Sequence, residues 1–220
     1  MGMGMDMDMV TVMGITMMTQ GTNQNLGIKK YLNVKQTQRM AIAIETGIAD
    51  LLVIQPNVFE DERGYFYESY NEDAYAKLGI NLPFVQDNQS LSQKGVLRGL
   101  HFQNPPHAQG KLVRVIKGAV LDVVVDIRKD SATYGKHFAK ELNEKNKTCL
   151  YVPPGFAHGF LTLENDTIFY YKCTRYYNKA SEGAILWNDK GLGINWGITD
   201  PVLSEKDRAG QPFSEFKSLF

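Results

Sequence analysis

Two of the four histidines and one lysine of this 220-residue chain fall in three short segments of its middle third. The segments are Arg98-Gly99-Leu100-His101-Phe102-Gln103, Gln109-Gly110-Lys111 and Pro153-Pro154-Gly155-Phe156-Ala157-His158. Each sits at the end of an apolar, β-branched run or between two such runs, where strands enter or leave turns. From such places a rigid sheet can aim a base and a cation at one small molecule. An imidazole set among Phe and Leu is held neutral by desolvation, so it can take a proton at neutral pH. A nearby carboxylate would raise its basicity and fix its tautomer. A desolvated ammonium at Lys111 would stabilise a developing enolate oxygen. Tyr171, between Tyr170 and Lys172, offers a phenol that could donate a proton if its pKa were lowered. Each residue also has a plainer reading: a structural histidine, a solvated lysine, a core tyrosine. Their joint appearance favours proton transfer.

A metal site is the rival chemistry. Metal-binding cupins pair a His-x-His segment and a further Glu with a Pro-x-Gly-x-x-His segment. Residues 153–158 fit the second half. The first half fails, because Phe102 and Gln103 follow His101. Too few ligands remain to fill a first shell, even with His107 available in its Pro-Pro-His-Ala loop. No metal is expected.

The elements that must carry these residues read as mostly β. Leu51–Ile54 is a short apolar strand ended by Pro56. Asp61-Glu62-Arg63-Gly64 is a turn, and Tyr65–Tyr70 an aromatic strand. Asn71 caps a short helix running through Leu78, with Gly79 at its C-terminal end. Lys111 to Arg128 reads as strand, turn at Lys117-Gly118, strand. The second arm is apolar nearly throughout, as suits a strand buried between two packed sheets. Cys149–Val152 is a further strand. Phe160–Leu163 and Ile168–Lys172 read as a hairpin about Asn165-Asp166. Ser204-Glu205-Lys206-Asp207 is a cap followed by acids, one helical turn ending near Gly210. Many short strands and no βαβ alternation predict a sandwich or barrel.

Composition adds bounds. The formal net charge is zero, giving no electrostatic reason for a nucleic acid or anionic membrane partner. No apolar run approaches the ~20 residues that span a bilayer. Cys149 and Cys173 match neither a zinc spacing nor a disulfide framework, so a reduced, cytoplasmic setting is the default. All nine methionines lie in the first 40 residues, which lack the basic start and apolar core of a signal peptide. Residues 1–39 are read as an extension outside the fold, or a small arm used in assembly. Residues 40–220 form the domain, with Met40 a plausible true start.

At the residues above, the chain resembles the dTDP-4-dehydrorhamnose 3,5-epimerase family, from about Ile54 to Phe213. The likeness runs through Phe59–Gly64, Phe84–Asn88, Arg98–Gln103, Gln109–Lys111, Pro154–Phe160, Tyr171-Lys172, Tyr176-Tyr177 and Ser204–Asp207. It implies an all-β, cupin-like jelly roll (a double-stranded β-helix) with a few short helices, no metal and no cofactor, and a homodimer. It implies epimerisation at C3 and C5 of dTDP-4-dehydro-6-deoxy-D-glucose through enolates. The alternatives are a monofunctional 3- or 5-epimerase of a related dTDP-4-keto sugar, or a non-catalytic sugar-nucleotide binding jelly roll. By position His101 resembles the family base, Asp207 the carboxylate paired with it, Lys111 the residue facing the enolate oxygen and Tyr171 the returning acid. Tyr177 resembles the ring that stacks on thymine. Arg63, Glu68, Gln86, Asp87, Asn88, Arg98, His158, Glu182 and Lys206 match positions around the nucleotide and sugar. Gln86 and Asn88, two apart on a strand, face one side and could read the thymine edge. Nothing in the family accounts for residues 1–39. Gln89, where many relatives have His, is expected on the opposite strand face.

Overall fold

Strands dominate because apolar side chains recur at short intervals between turn residues, and the structure sorts those strands into two facing sheets. The computed structural model describes residues 9–12, 15–18 and 41–220. In the first 39 residues, β1 (Met9–Val12) and β2 (Ile15–Met18) form an antiparallel pair. The reading of residues 1–39 as an extension otherwise lies outside the described residues.

The remaining elements are β3 (Ala41–Glu45), β4 (Leu52–Pro56), β5 (Phe59–Asp61), β6 (Gly64–Phe66), α1 (Glu72–Ala76), β7 (Gln86–Ser92), β8 (Leu97–Gln103) and β9 (Lys111–Lys117). They continue with β10 (Ala119–Asp126), β11 (His137–Asn143), β12 (Cys149–Val152), β13 (Phe156–Thr162), β14 (Thr167–Cys173), β15 (Glu182–Ala184) and α2 (Glu205–Arg208). A six-stranded sheet runs β3-β4-β12-β9-β14-β7 and a five-stranded sheet β11-β10-β13-β8-β15. All their ladders are antiparallel. This is the cupin-like jelly roll.

The core lies between the sheets. Val113, Val115, Leu150, Val152 and Phe169 from the six-stranded sheet meet Val120, Val124, Phe156 and Phe160 from the five-stranded one. Phe160 and Phe169 stack with ring centroids 4.1 Å apart. Truncating either would cost about 3–5 kcal/mol. Behind the five-stranded sheet, Val123, Val125 and Ile127 pack with Trp187, Trp196 and Phe216 of the C-terminal segment. Strand β10 is therefore buried on both faces, as its sequence predicts. Tyr75 of α1 packs with Ile54, Leu112 and Tyr151 on the outer face of the other sheet.

Three local expectations need correction. Phe160–Leu163 and Ile168–Lys172 are not a laddered hairpin. β13 and β14 belong to different sheets, and the turn at Asn165-Asp166 carries the chain from one to the other. β9 and β10 are the strand, turn and strand expected over Lys111–Arg128, and they too join different sheets across Gly118, where φ is +79°. The aromatic strand expected over Tyr65–Tyr70 stops at Phe66, because only the short β5 is there to pair with it. The helix after Asn71 spans Glu72–Ala76 and ends short of Leu78, although the Asn71 cap is made to the N–H of Ala74. At α2 the cap is a full capping box between Ser204 and Asp207.

Candidate active site

Antiparallel register decides which side chains share a wall. On the six-stranded sheet, Tyr171 is paired with Asn88 and Val113, and Cys173 with Gln86 and Lys111. Directly paired residues lie on the same face, so Gln86, Asn88, Tyr171 and Lys111 share the inner wall. On the five-stranded sheet, His158 is paired with His101 and with Val124. The two imidazoles thus stand on neighbouring strands of the opposite wall. Face-to-face sheets lie roughly 10 Å apart, which leaves room between the walls for one sugar ring.

The gap is a cleft of about 260 Å³ bordered by Ser90, Arg98, His101, Lys111, His158, Tyr171, Lys206 and Asp207, among others. That is just below the ~300–1,000 Å³ of pockets for drug-sized ligands. It is large enough for one small ring-sized molecule, and Gln86 and Tyr177 are not among the residues that line it. A larger cleft of about 760 Å³, between Glu45, Asp50, Arg128 and Tyr151, holds none of the expected site residues. Residue chemistry, not volume, picks the smaller one.

His101 is the third residue from the end of β8, within the strand rather than at its edge. Its Nε2 lies 2.7 Å from Oδ1 of Asp207, close but off the N–H axis. Asp207 is buried, contrary to its look of a solvated helix acid. The helical turn that exposes its neighbours folds it inward, where it also accepts from the backbone N–H of Gly99 (3.0 Å) and from Ser204. These donors and the imidazole hold its carboxyl well below the usual carboxylate range, against the opposing pull of burial. Burial lowers the pKa of His101, and Asp207 partly restores it. The neutral base form therefore dominates at pH 7.

His101 and Arg98 depend on a close strand approach. A Cβ at Gly99, where φ is +128°, would collide with the backbone of Gly159 on β13. The register slips at this contact, between His158 and Phe160. His158 donates from Nε2 to both oxygens of Asp122 (3.0 and 2.9 Å), a carboxylate with no exposure.

Across the cleft, burial lowers the pKa of Lys111. Its Nζ lies 6.0 Å from the centre of the Tyr171 ring. Burial raises the pKa of Tyr171, chiefly by desolvation, so the lowered phenol pKa expected above is corrected. The phenol is fully protonated at neutral pH, which is the state a proton donor needs.

The nucleotide-side residues are partly gathered. Gln86 donates to Asn88 (3.1 Å) and accepts from the backbone N–H of Tyr177 (2.9 Å). The Tyr177 hydroxyl donates to Glu182 (3.1 Å), which is ion-paired with Lys206. Tyr177 is 54% exposed and free to cover a planar ligand. Arg98 borders the cleft and reaches Ser92 (3.3 Å). The side chain of Asp87 is not with them. It projects from the outer face of β7 and pairs with Lys172 (2.8 Å) and Tyr170 (2.7 Å). Nor are Arg63 and Glu68. Arg63 is exposed at the β5–β6 turn, paired with Asp61, and Glu68 bonds Asn71. Gln89 pairs with Tyr170 and has the strand parity of Asp87, the opposite face from Asn88 as expected, although it is among the residues bordering the cleft. Gln103 and Gln109 hold the loop that carries Tyr177, through the carbonyls of Tyr176 and Arg175.

Sequence reasoning passed over Asp122 and Ser90. Asp122 had a signal, being a lone carboxylate inside the apolar run Ala119–Val125. Ser90 had the same strand parity as Gln86 and Asn88. Among the described residues no three His, Cys, Asp or Glu side chains are gathered to hold a metal ion.

A carboxylate-backed imidazole on one wall, with an ammonium and a phenol on the other, can remove a proton beside a carbonyl and return one from the far side. That is the layout of a jelly-roll isomerase acting on a carbon acid. The profile of the dTDP-4-dehydrorhamnose 3,5-epimerase family matches residues 45–215, and the chain belongs to that family. It is 54% identical over 172 residues to the dTDP-4-dehydrorhamnose 3,5-epimerase of Salmonella typhimurium, covering 77% of this chain and 94% of that one. The crystal structure of the dTDP-4-dehydrorhamnose 3,5-epimerase from Elizabethkingia anophelis superposes with a TM-score of 0.77 at 50% identity, covering 80% of this chain and 98% of the other. The Legionella pneumophila dTDP-6-deoxy-D-glucose-3,5-epimerase, in complex with dTDP-4-keto-L-rhamnose, also gives a TM-score of 0.77, at 46% identity and with coverage of 80% and 95%.

Proposed function

We propose that this chain epimerises C3 and C5 of dTDP-4-dehydro-6-deoxy-D-glucose, giving dTDP-4-dehydro-L-rhamnose. The observation that carries the reading is the split of the chemical groups between two walls: His101 with Asp207 on one, Lys111 and Tyr171 on the other. Both carbons are α to the C4 ketone. In the gluco-configured chair their hydrogens are axial on one ring face, so one base can serve both in turn. His101 removes the proton. The enolate oxygen is stabilised by Lys111. Tyr171 delivers a proton to the opposite face, which inverts the carbon. Electrons and atoms balance without an oxidant or reductant. Arg98 would fork onto the diphosphate. Tyr177, Gln86 and Asn88 would take the thymine, with Glu182 and Lys206 at the cleft rim.

The working form is a homodimer in the cytoplasm. Arg63 and Glu68 lie apart from the cleft of their own chain, on and after a hairpin that exposes Tyr65 (55%) and Phe66 (68%). Strand β3, at a sheet edge, exposes Ile42 and Ile44. Covering these surfaces with a second copy would bring Arg63 and Glu68 to the partner's cleft. Among the described residues no helix is long and apolar enough to cross a membrane.

The test is proton NMR of the 4-keto sugar nucleotide in heavy water with the protein added. Deuterium should enter both C3 and C5 with inversion at each. Exchange at C3 alone would reassign the chain as a monofunctional 3-epimerase. Tight binding without exchange would make it a binding jelly roll.

A further inference from the structure

Among the described residues two hydroxyl oxygens, those of Ser90 and Thr162, are buried without a hydrogen-bond partner, and of the two only Ser90 borders the cleft. Ser90 is on β7 and pairs with Phe169 of β14, whose ring lies in the core between the sheets. Directly paired residues share a face, so the Ser90 side chain stands on the inner wall with Gln86 and Asn88. The Phe169 ring beside it is stacked on Phe160 and offers no acceptor. A buried hydroxyl is costly to leave unpaired, and this one gains a bond when a ligand brings a polar group to it.

The ladders place this hydroxyl relative to the reacting groups. Cys173 pairs with Lys111, Tyr171 with Val113 and Asn88, and Phe169 with Val115 and Ser90. Lys111 and Ser90 therefore flank Tyr171 from opposite sides, one on β9 and one on β7, displaced in opposite directions along the strands. The Lys111 ammonium reaches to 6.0 Å from the centre of the Tyr171 ring. Ser90 is a diagonal cross-strand neighbour of Tyr171, a spacing of roughly 7–8 Å. A hexose lying over the phenol would span from one to the other. Two residues further along β7, Ser92 accepts from Nε of Arg98 (3.3 Å), which leaves the terminal guanidinium nitrogens for an anion.

We propose that Ser90 is a further substrate-binding residue, one that holds the C2 hydroxyl of the hexose. This rests on the proposed function, in which the C4 carbonyl lies at Lys111 with C3 and C5 over Tyr171, and deepens it. With C4 at one end, the far edge of the ring carries C1, C2 and the ring oxygen. The C1 oxygen leads into the diphosphate, which Arg98 takes, so the hydroxyl left for Ser90 is the one on C2. The C3 hydroxyl sits beside the carbonyl and changes direction when its carbon inverts. C2 keeps its configuration throughout, so a contact there holds the ring in register through both inversions.

The test compares dTDP-α-D-glucose with its 2-deoxy analogue by isothermal titration, on the native protein and on Ser90→Ala. The native protein should bind the 2-deoxy analogue about tenfold more weakly, the size of one ordinary hydrogen bond. Ser90→Ala should bind the two within about twofold of each other, because the partner of the C2 hydroxyl is gone. Neither ligand carries a ketone, so the comparison reads the contact even in a protein that shows no exchange. That separates failure of this proposal from failure of the proposed function. A native protein that binds both ligands alike overturns the proposal. So does a preference that survives intact in Ser90→Ala, the result expected of a serine that only fills the wall or is set against the diphosphate. If Ser90→Ala does not fold, Ser90→Cys keeps the shape with a weaker donor and acceptor, and an undiminished preference there overturns the proposal instead.

Discussion

Two histidine–aspartate pairs stand on adjacent strands of one sheet, and they differ in where each aspartate comes from. Asp207 is delivered to His101 by a helical turn from outside the sheet, and it is tied by three further contacts. Asp122 is delivered to His158 from within the sheet, by β10, and among the described residues its side chain has no other hydrogen-bond partner. The His101 side chain keeps 25% exposure, whereas that of His158 keeps 6%. A base must present an edge to its substrate and regain a proton balance with solvent. Both carboxylates are buried; what differs between the two pairs is the exposure of the imidazole.

The comparison breaks most sharply at the base. His101→Ala should lower kcat by about 10³-fold or more, since a positioned acid–base group contributes roughly 10²–10⁴. His158→Gln should lose markedly less, with both proteins showing native circular dichroism. Equal losses would erase the distinction. Tyr171→Phe should abolish inversion while leaving some hydrogen exchange at C3 and C5, because proton removal survives and far-face return does not. NMR in heavy water reads both. Complementation should follow if the proposed dimer places Arg63 at the partner's cleft. A mixture of His101→Ala and Arg63→Ala proteins, each weak alone, should regain up to about a quarter of native activity after subunit exchange, as one native cleft forms in each mixed dimer. No regain would place Arg63 at its own chain's site or at none.

Asp207→Asn sharpens the comparison in two ways. Removing a charge that raises the His101 pKa should push the acid limb of kcat/KM to still lower pH. It also weakens the contacts to Gly99 and Ser204, costing about 1–3 kcal/mol in thermal or urea unfolding. The smallest effect is on stability against pH. The Asp207 pKa is depressed on folding, so its contribution is fully present above the unfolded pKa near 3.9 and fades as pH falls through the folded value. Asp126, held at about 2 by Arg128, Ser131 and Thr133, fades over the same acid window but lies away from the cleft. Acid unfolding midpoints of Asp207→Asn and Asp126→Asn should separate the two.

Much of the fold was legible. The apolar run of β10 announced a strand with two covered faces, and Ser204 with Asp207 announced the last helix. What failed were partnerships. The turn at Asn165-Asp166 looks like a hairpin turn locally, yet it passes the chain between sheets. Local turn chemistry does not say which ladder the next strand will join. The aromatic run after Gly64 has high strand propensity but no long neighbour to pair with. In the site, His101 and Lys111 were legible as residue types close to glycines, Tyr171 as a phenol within a strand, and Arg98 through the family resemblance. Asp122 was hidden within an apolar run, and Asp87, named only because it matches a family position, is turned outward by strand parity.

The sequence by itself determined the family, the supply of a base, a cation and a phenol, and the strand periods that give each side chain its face. Those are local properties, set by residue chemistry and the two-residue repeat of a strand. Only the tertiary structure decided that Asp207 is buried against His101, that His158 stands beside it with a sealed carboxylate, and that acid and base occupy opposite walls. Pairing between residues 36 to 106 positions apart depends on sheet order and register, which emerge when the whole core is packed.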